Sequence, residues 1–259
     1  MTPPIMMVER SAAIPLAPPA DKMSSAIAKV APNWVLKTTM AATGTVLALM
    51  LAVRLVFNLW FFTGQQHYDT VATRVANLFT PYVPATTWLW FIRVVTLLLI
   101  AAHVAICVVL LLRSKAGRGP VRAKLHGGFH AWLTRLMPYT GAALGLFALV
   151  YVLDQVFGLL VFPVVFNGPP PDHTQVWAYW NLTNSLSHPA LAVVYILGLL
   201  AIAAHVLHGL GTVMTIAAGG SQLGARIKRW LVIGGGALMS ALLLASLLIP
   251  VGVLAGWFR

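Results

Sequence analysis

Long apolar stretches alternate with short polar ones along this chain, on a scale far beyond the period of an amphipathic helix or strand. Five stretches, at about 38–62, 87–112, 139–163, 189–217 and 230–256, stay apolar for 25 residues or more. Each exceeds the ~20 residues that carry an α-helix through a hydrocarbon core ~30 Å thick. The pattern predicts an all-α, integral membrane bundle of five transmembrane helices. Between the first two, Tyr68–Phe79 has apolar residues at helical spacing and predicts a short helix lying on the membrane surface. Between the third and fourth, Asn167–Asp172 is a Gly- and Pro-rich break, and Trp177, Tyr179 and Trp180 after it suit an interfacial aromatic belt. No self-similarity at 20 to 50 residues is visible, so a repeat or inverted-repeat transporter is not expected. Residues 1–33, rich in Pro, Ala and Ser and too polar for a secretory signal, read as a flexible cytoplasmic arm before a 34–259 anchor.

Composition agrees with the pattern and narrows the class. The chain is 59% hydrophobic and 8% charged, against roughly 25% charged in a soluble domain. The 17 Lys and Arg against 5 Asp and Glu concentrate before span one, between spans two and three, and between spans four and five. By the positive-inside rule these loops and the N-terminus are cytoplasmic, which predicts a multi-pass protein of the inner (plasma) membrane. Basic charge split into juxtamembrane clusters attracts anionic lipid or an acidic partner; it is not the continuous basic face of a nucleic-acid-binding protein. The lone Cys107 excludes an internal disulfide.

Ionisable groups inside the spans are the candidate chemistry, because such groups are costly in lipid and turn toward the bundle interior. His103 lies nine residues before the cytoplasmic end of span two and His205 twelve before that of span four, depths of roughly 14 and 18 Å. The two can face one another. Cys107, four residues after His103, and His208, three after His205, share their faces nearer the cytoplasm. Deeper in, Arg54 and Asp154 both lie roughly 23 Å from the cytoplasmic boundary, and their opposite signs predict an ion pair across the bundle, structural or in contact with a proton or quinone.

Taken in order, Lys37–Gly44 opening span one, Asn58–Gly64 closing it, His103 in span two and His205-Val206-Leu207-His208-Gly209-Leu210 in span four resemble the five-helix, cytochrome b-type membrane anchor of succinate dehydrogenase (respiratory complex II), its actinobacterial members in particular. The likeness covers about residues 34–256. It implies a bundle that binds flavoprotein and iron–sulfur subunits on its cytoplasmic face and reduces a membrane quinone, menaquinone or ubiquinone, while succinate oxidation takes place on those partners. The fuller family form holds two stacked b haems, each between histidines of two helices. His103 and His205 match the inner pair. At the outer pair the chain departs, with Arg54 at the span-one position and Val152 at that of span three, which implies loss of the outer haem. The resemblance leaves two forms of the inner centre open: a single b-type haem, or a Rieske-type 2Fe–2S cluster with His103 and His205 on one iron and Cys107 on the other.

A quinone pocket needs an apolar slot with a donor near each carbonyl oxygen, for which Trp34, Lys37, His126, His130 and Tyr139 near the inner interface are the candidates. Two other readings stay open: a haem-binding anchor of a hydrogenase or formate dehydrogenase, and a proton-coupled transporter using His103, His205, Arg54 and Asp154. A higher oligomer is also open.

Overall fold

The structure is a computed structural model that describes residues 31–116, 129–160, 166–168, 175–217 and 222–258. The N-terminal arm and His126 lie outside them. Among the described residues there is no strand, and the chain forms helices α1 (Asn33–Leu59), α2 (Gln65–Ala76), α3 (Thr87–Ala116), α4 (Phe129–Tyr151), α5 (Ala178–Ser187), α6 (Pro189–Ala217) and α7 (Gln222–Leu254). Five of them, α1, α3, α4, α6 and α7, are long and apolar enough to cross a membrane. They alternate in direction, so Arg113, Lys115, Arg226 and Lys228 gather at one end, the basic end, and α2 and α5 at the other.

The third long helix differs from expectation. It begins at Phe129, ten residues before the predicted start, because Pro138 sits inside it and does not open it. An internal proline removes one backbone hydrogen bond, a loss that apolar helices in bundles accommodate. Its far end comes earlier than predicted: Val152–Val156 widens into a π-helical turn and Gly158, at φ 64°, ends it. Only glycine takes that backbone conformation without steric cost.

The short helix between spans one and two is present, shifted to Gln65–Ala76, and buries Tyr68, Asp69, Ala72 and Ala76 along one face. It organises its neighbour. The Asp69 carboxylate accepts the Tyr179 N–H at 2.8 Å and Thr73 Oγ accepts the Val176 N–H at 2.9 Å, so α2 supplies the N-terminal cap of α5 from across the fold. Burial pushes the Asp69 carboxyl up from its ordinary value, opposed by the backbone N–H donors of Tyr179 and Ala178 and by Gln65. The aromatic stretch at Trp177–Trp180, expected only as a belt, is thereby the start of a helix. Tyr179 stacks on Phe61 with ring centres 4.5 Å apart, which seals α2 and α5 onto the ends of α1 and α7.

The long helices pack as two hairpins, α1 with α3 and α4 with α6, with α7 against α6 and α1. Leu55, Ile202, Leu242 and Leu243 form the buried seam between them. In α3 and α4, by contrast, the spanning stretch has no buried residue, and large apolar side chains such as Leu97, Leu98 and Leu146 are well over half exposed. Such surface suits lipid and not water.

Candidate functional site

His103 on α3 and His205 on α6 meet in the half of the bundle nearer the basic end, with ring centres 6.5 Å apart and planes at 72°. The expectation that they share a level holds in the structure. Each ring is held by a threonine of the preceding long helix: Thr43 Oγ is 3.0 Å from His103 Nδ1, and Thr140 Oγ is 3.2 Å from His205 Nδ1. The residue after each threonine is glycine, and the ring lies against it. A Cβ on Gly44 would come within 3.1 Å of His103 Cε1, and one on Gly141 within 3.3 Å of His205 Cε1.

The two arrangements are equivalent in sequence as well. Met40-x-x-Thr43-Gly44-x-x-Leu47-x-Leu49 is repeated as Met137-x-x-Thr140-Gly141-x-x-Leu144-x-Leu146, and Ile100-Ala101-Ala102-His103-Val104 as Ile202-Ala203-Ala204-His205-Val206. The offsets are 97 and 102 residues, about twice the longest period considered for a repeat. The chain therefore contains two copies of one helical hairpin running in the same direction, with α7 outside the repeat. Contact between equivalent residues, His103 and His205, is what an approximate two-fold axis between the copies gives, although α1 packs on α6 more closely than α4 does on α3. Thr43 enters the sequence reading only as part of the Lys37–Gly44 string, and Thr140 is not singled out. The doubled Thr-Gly and Ile-Ala-Ala-His-Val strings were the signal.

The same axis passes a second level toward the α2/α5 end. Eleven residues after each threonine stand Arg54 and Tyr151, and the Arg54 guanidinium lies 5.8 Å from the Tyr151 ring centre and 5.2 Å from that of Phe57. Tyr68 of α2 hydrogen-bonds the same guanidinium; burial pushes its phenol up and the Arg54 charge opposes the shift.

The expected direct Arg54–Asp154 ion pair is not how the structure satisfies Asp154. Its wholly buried carboxylate accepts Ser185 Oγ at 2.9 Å, Tyr195 Oη at 2.6 Å and Gln155 Nε2 at 2.8 Å, all neutral donors. The π turn is the local cause, since a widened turn redirects the side chains on it. Arg54 instead has Tyr151, Tyr68 and Tyr195 as its electrostatic partners, and Tyr195 also donates to Asp154. Arg93 was also missed by the sequence reading. It lies in α3 over the Trp90 ring at 4.8 Å.

The other candidates are not drawn into the histidine pair. Cys107 is half-buried, and among the described residues no three His, Cys, Asp or Glu side chains stand close enough to hold one ion. His208 is 3.4 Å from Thr134 Oγ, a turn nearer the basic end. Of the quinone candidates, Trp34 is 71% and Tyr139 73% exposed, and Lys37 is exposed too, so they lie on the outside of the bundle. His130 falls in the first turn of α4, with its side chain outside the described part.

Two imidazoles on opposite sides of one metal ion, each nitrogen ~2.0–2.1 Å from it, place their ring centres roughly 6 Å apart. On adjacent corners of the same ion they come closer, to roughly 5 Å. The 6.5 Å separation fits the first arrangement. No family model, curated protein or solved structure matches this chain.

Proposed function

We propose that the chain is the membrane anchor and quinone-reducing subunit of a succinate:quinone oxidoreductase, with one iron centre between His103 and His205. The observation that carries the reading is the pair itself: two imidazoles on different helices, in the basic half of a five-helix bundle, at a separation suited to opposite ligation of one ion. The link to succinate dehydrogenase rests on the likeness of Lys37–Gly44, Asn58–Gly64, His103 and His205–Leu210 to that family. The basic residues at one end support a cytoplasmic location for that end by the positive-inside rule, which is where flavoprotein and iron–sulfur partners would bind.

Of the two centres, a b-type haem has the better support. Its iron takes two imidazoles and no further ligand from the chain, and the structure brings two together; a 2Fe–2S cluster also needs anionic ligands, and Cys107 is not gathered with them. When bound, such a group supplies a one-electron couple within the membrane. The chain's own part is to fix both rings, to keep water from them with apolar helices, and to leave Arg54 and Tyr151 at the outer level, where neither is a haem ligand of the bis-histidine kind.

The test is the visible and paramagnetic resonance spectra of the purified native complex, beside His103→Ala and His205→Ala. A b-type band in wild type, lost in either variant together with quinone reduction while succinate still reduces a soluble dye, is the expected result. Near-normal quinone reduction in either variant overturns the role of the pair. A cluster signal without a haem band replaces haem by cluster.

A further inference from the structure

Each histidine sits beside a hydroxyl that also faces two backbone carbonyls of its own helix, acceptors for its one proton. Thr43 Oγ donates into the carbonyls one turn back, 2.9 Å to Thr39 and 3.1 Å to Met40. A threonine hydroxyl has a single proton and two lone pairs. With that proton on a carbonyl, what it offers His103 Nδ1 at 3.0 Å is a lone pair, for which the ring nitrogen is the donor. The Met40 carbonyl, an acceptor only, is also within hydrogen-bonding reach of that ring. The second half repeats the arrangement. Thr140 Oγ donates to Leu136 and Met137 carbonyls, both at 3.1 Å, and accepts from His205 Nδ1 at 3.2 Å, with the Met137 carbonyl again within reach of the ring.

We infer that Thr43 and Thr140 are positioning residues that lock His103 and His205 in the Nδ1–H tautomer, leaving both Nε2 lone pairs bare for an electron-pair acceptor on the approximate two-fold axis. A neutral imidazole has one protonated and one bare nitrogen, and the hydrogen bond at one decides which the other is. Two bare lone pairs on rings 6.5 Å apart select a metal ion and disfavour a ligand that itself offers lone pairs there. Gly44 and Gly141 complete the device by admitting the Cε1–Nδ1 edge of each ring close to their helices. The inference deepens the proposed iron centre and rests on it for the identity of the acceptor, but the tautomer stands on the hydrogen bonds alone.

The experiment uses the full chain with ¹⁵N-labelled histidine rings in lipid nanodiscs at pH 8, free of iron, and nitrogen NMR assigned through the His103→Gln and His205→Gln variants. Both rings are expected as protonated Nδ1 with bare Nε2. Thr43→Val should turn His103 alone into a mixture of tautomers, Thr140→Val should do the same to His205 alone, and Thr43→Ser should restore the wild-type signal. In the intact complex each valine variant should hold its iron about 10-fold to 100-fold less tightly, as loss of a ligand's supporting hydrogen bond commonly does. Its midpoint potential should rise, because a ligand that loses its Nδ1–H acceptor donates less to the metal. An Nε2–H tautomer in wild type, or valine variants with unchanged ring signals, overturns the inference whatever the complex contains. The expected tautomers in a complex that holds no iron overturn the proposed function and leave the tautomer assignment standing.

Discussion

The two levels on the approximate axis are built from the same repeat and have opposite characters. At the His103–His205 level both halves contribute identical residues: histidine, threonine and glycine from each. At the Arg54–Tyr151 level the halves have diverged, and the space is filled by the chain's own hydrogen bonds, from Arg54 to Tyr68 and from Ser185, Tyr195 and Gln155 to Asp154. Identical residues meeting on an axis are what a shared, centred ligand requires. Different residues that satisfy one another leave no such requirement. The lesson is that symmetry kept at one level and lost at the next separates the part of the bundle that holds something from the part that holds itself together.

The largest effect is expected from spoiling the symmetric level. Gly44→Val and Gly141→Val each push a branched side chain into a ring that already stands 3.1 to 3.3 Å from where a Cβ would be. Each should abolish the iron spectrum of the complex to the same degree. If one is tolerated while the other is not, the two halves are not equivalent at this level.

Next comes the self-satisfied level. Asp154→Ala strands the Tyr195 hydroxyl in an apolar setting, while Ser185 keeps the Asn181 carbonyl and Gln155 keeps Ser185 Oγ, so a loss of about 1–3 kcal/mol is expected. Thermal unfolding in detergent reads it directly, and Asp154→Ala with wild-type stability would place the carboxylate outside the packing of the fold. The iron spectrum of folded protein should survive this replacement.

A smaller effect sharpens the account of how the two charges are arranged. In double-mutant cycles, Asp154→Asn with Tyr195→Phe should show a coupling of about 1 kcal/mol or more, because the groups are in direct contact. Asp154→Asn with Arg54→Met should couple less, because the Asp154 carboxylate takes its hydrogen bonds from neutral donors instead. The reverse order would restore the direct ion pair.

The smallest effect is at the cap. Asp69→Ala should cost about 1 kcal/mol, the usual loss when an N-terminal cap is removed, and should raise hydrogen exchange at the Tyr179 amide first. Unchanged exchange there would mean that α5 is held by Phe61 and its neighbours alone.

The long-range pattern of the fold was legible in the sequence, since apolar length alone decides which helices can span a bilayer. His103 and His205 were legible for the same reason: an ionisable residue in an apolar run stands out. The arrangement at Asp154 was not, because a π turn shifts side-chain direction without altering composition. Opposite charge at equal depth suggested a partner that Ser185 and Tyr195 supply instead. Helix α5 was hidden as well, for its cap comes from Asp69, more than a hundred residues earlier. Thr43 and Thr140 were in plain view as half of a doubled string, at an offset too long for a search tuned to solenoids.

The repeated hairpin also bears on ancestry. A pair that takes one histidine from each copy cannot form in a single hairpin, so one hairpin alone would assemble it only as a homodimer, with every substitution appearing twice. Two copies joined in one polypeptide are free of that constraint. Arg54 opposite Tyr151 is a change available only after the fusion, when one half could acquire a cation without placing a second one against it.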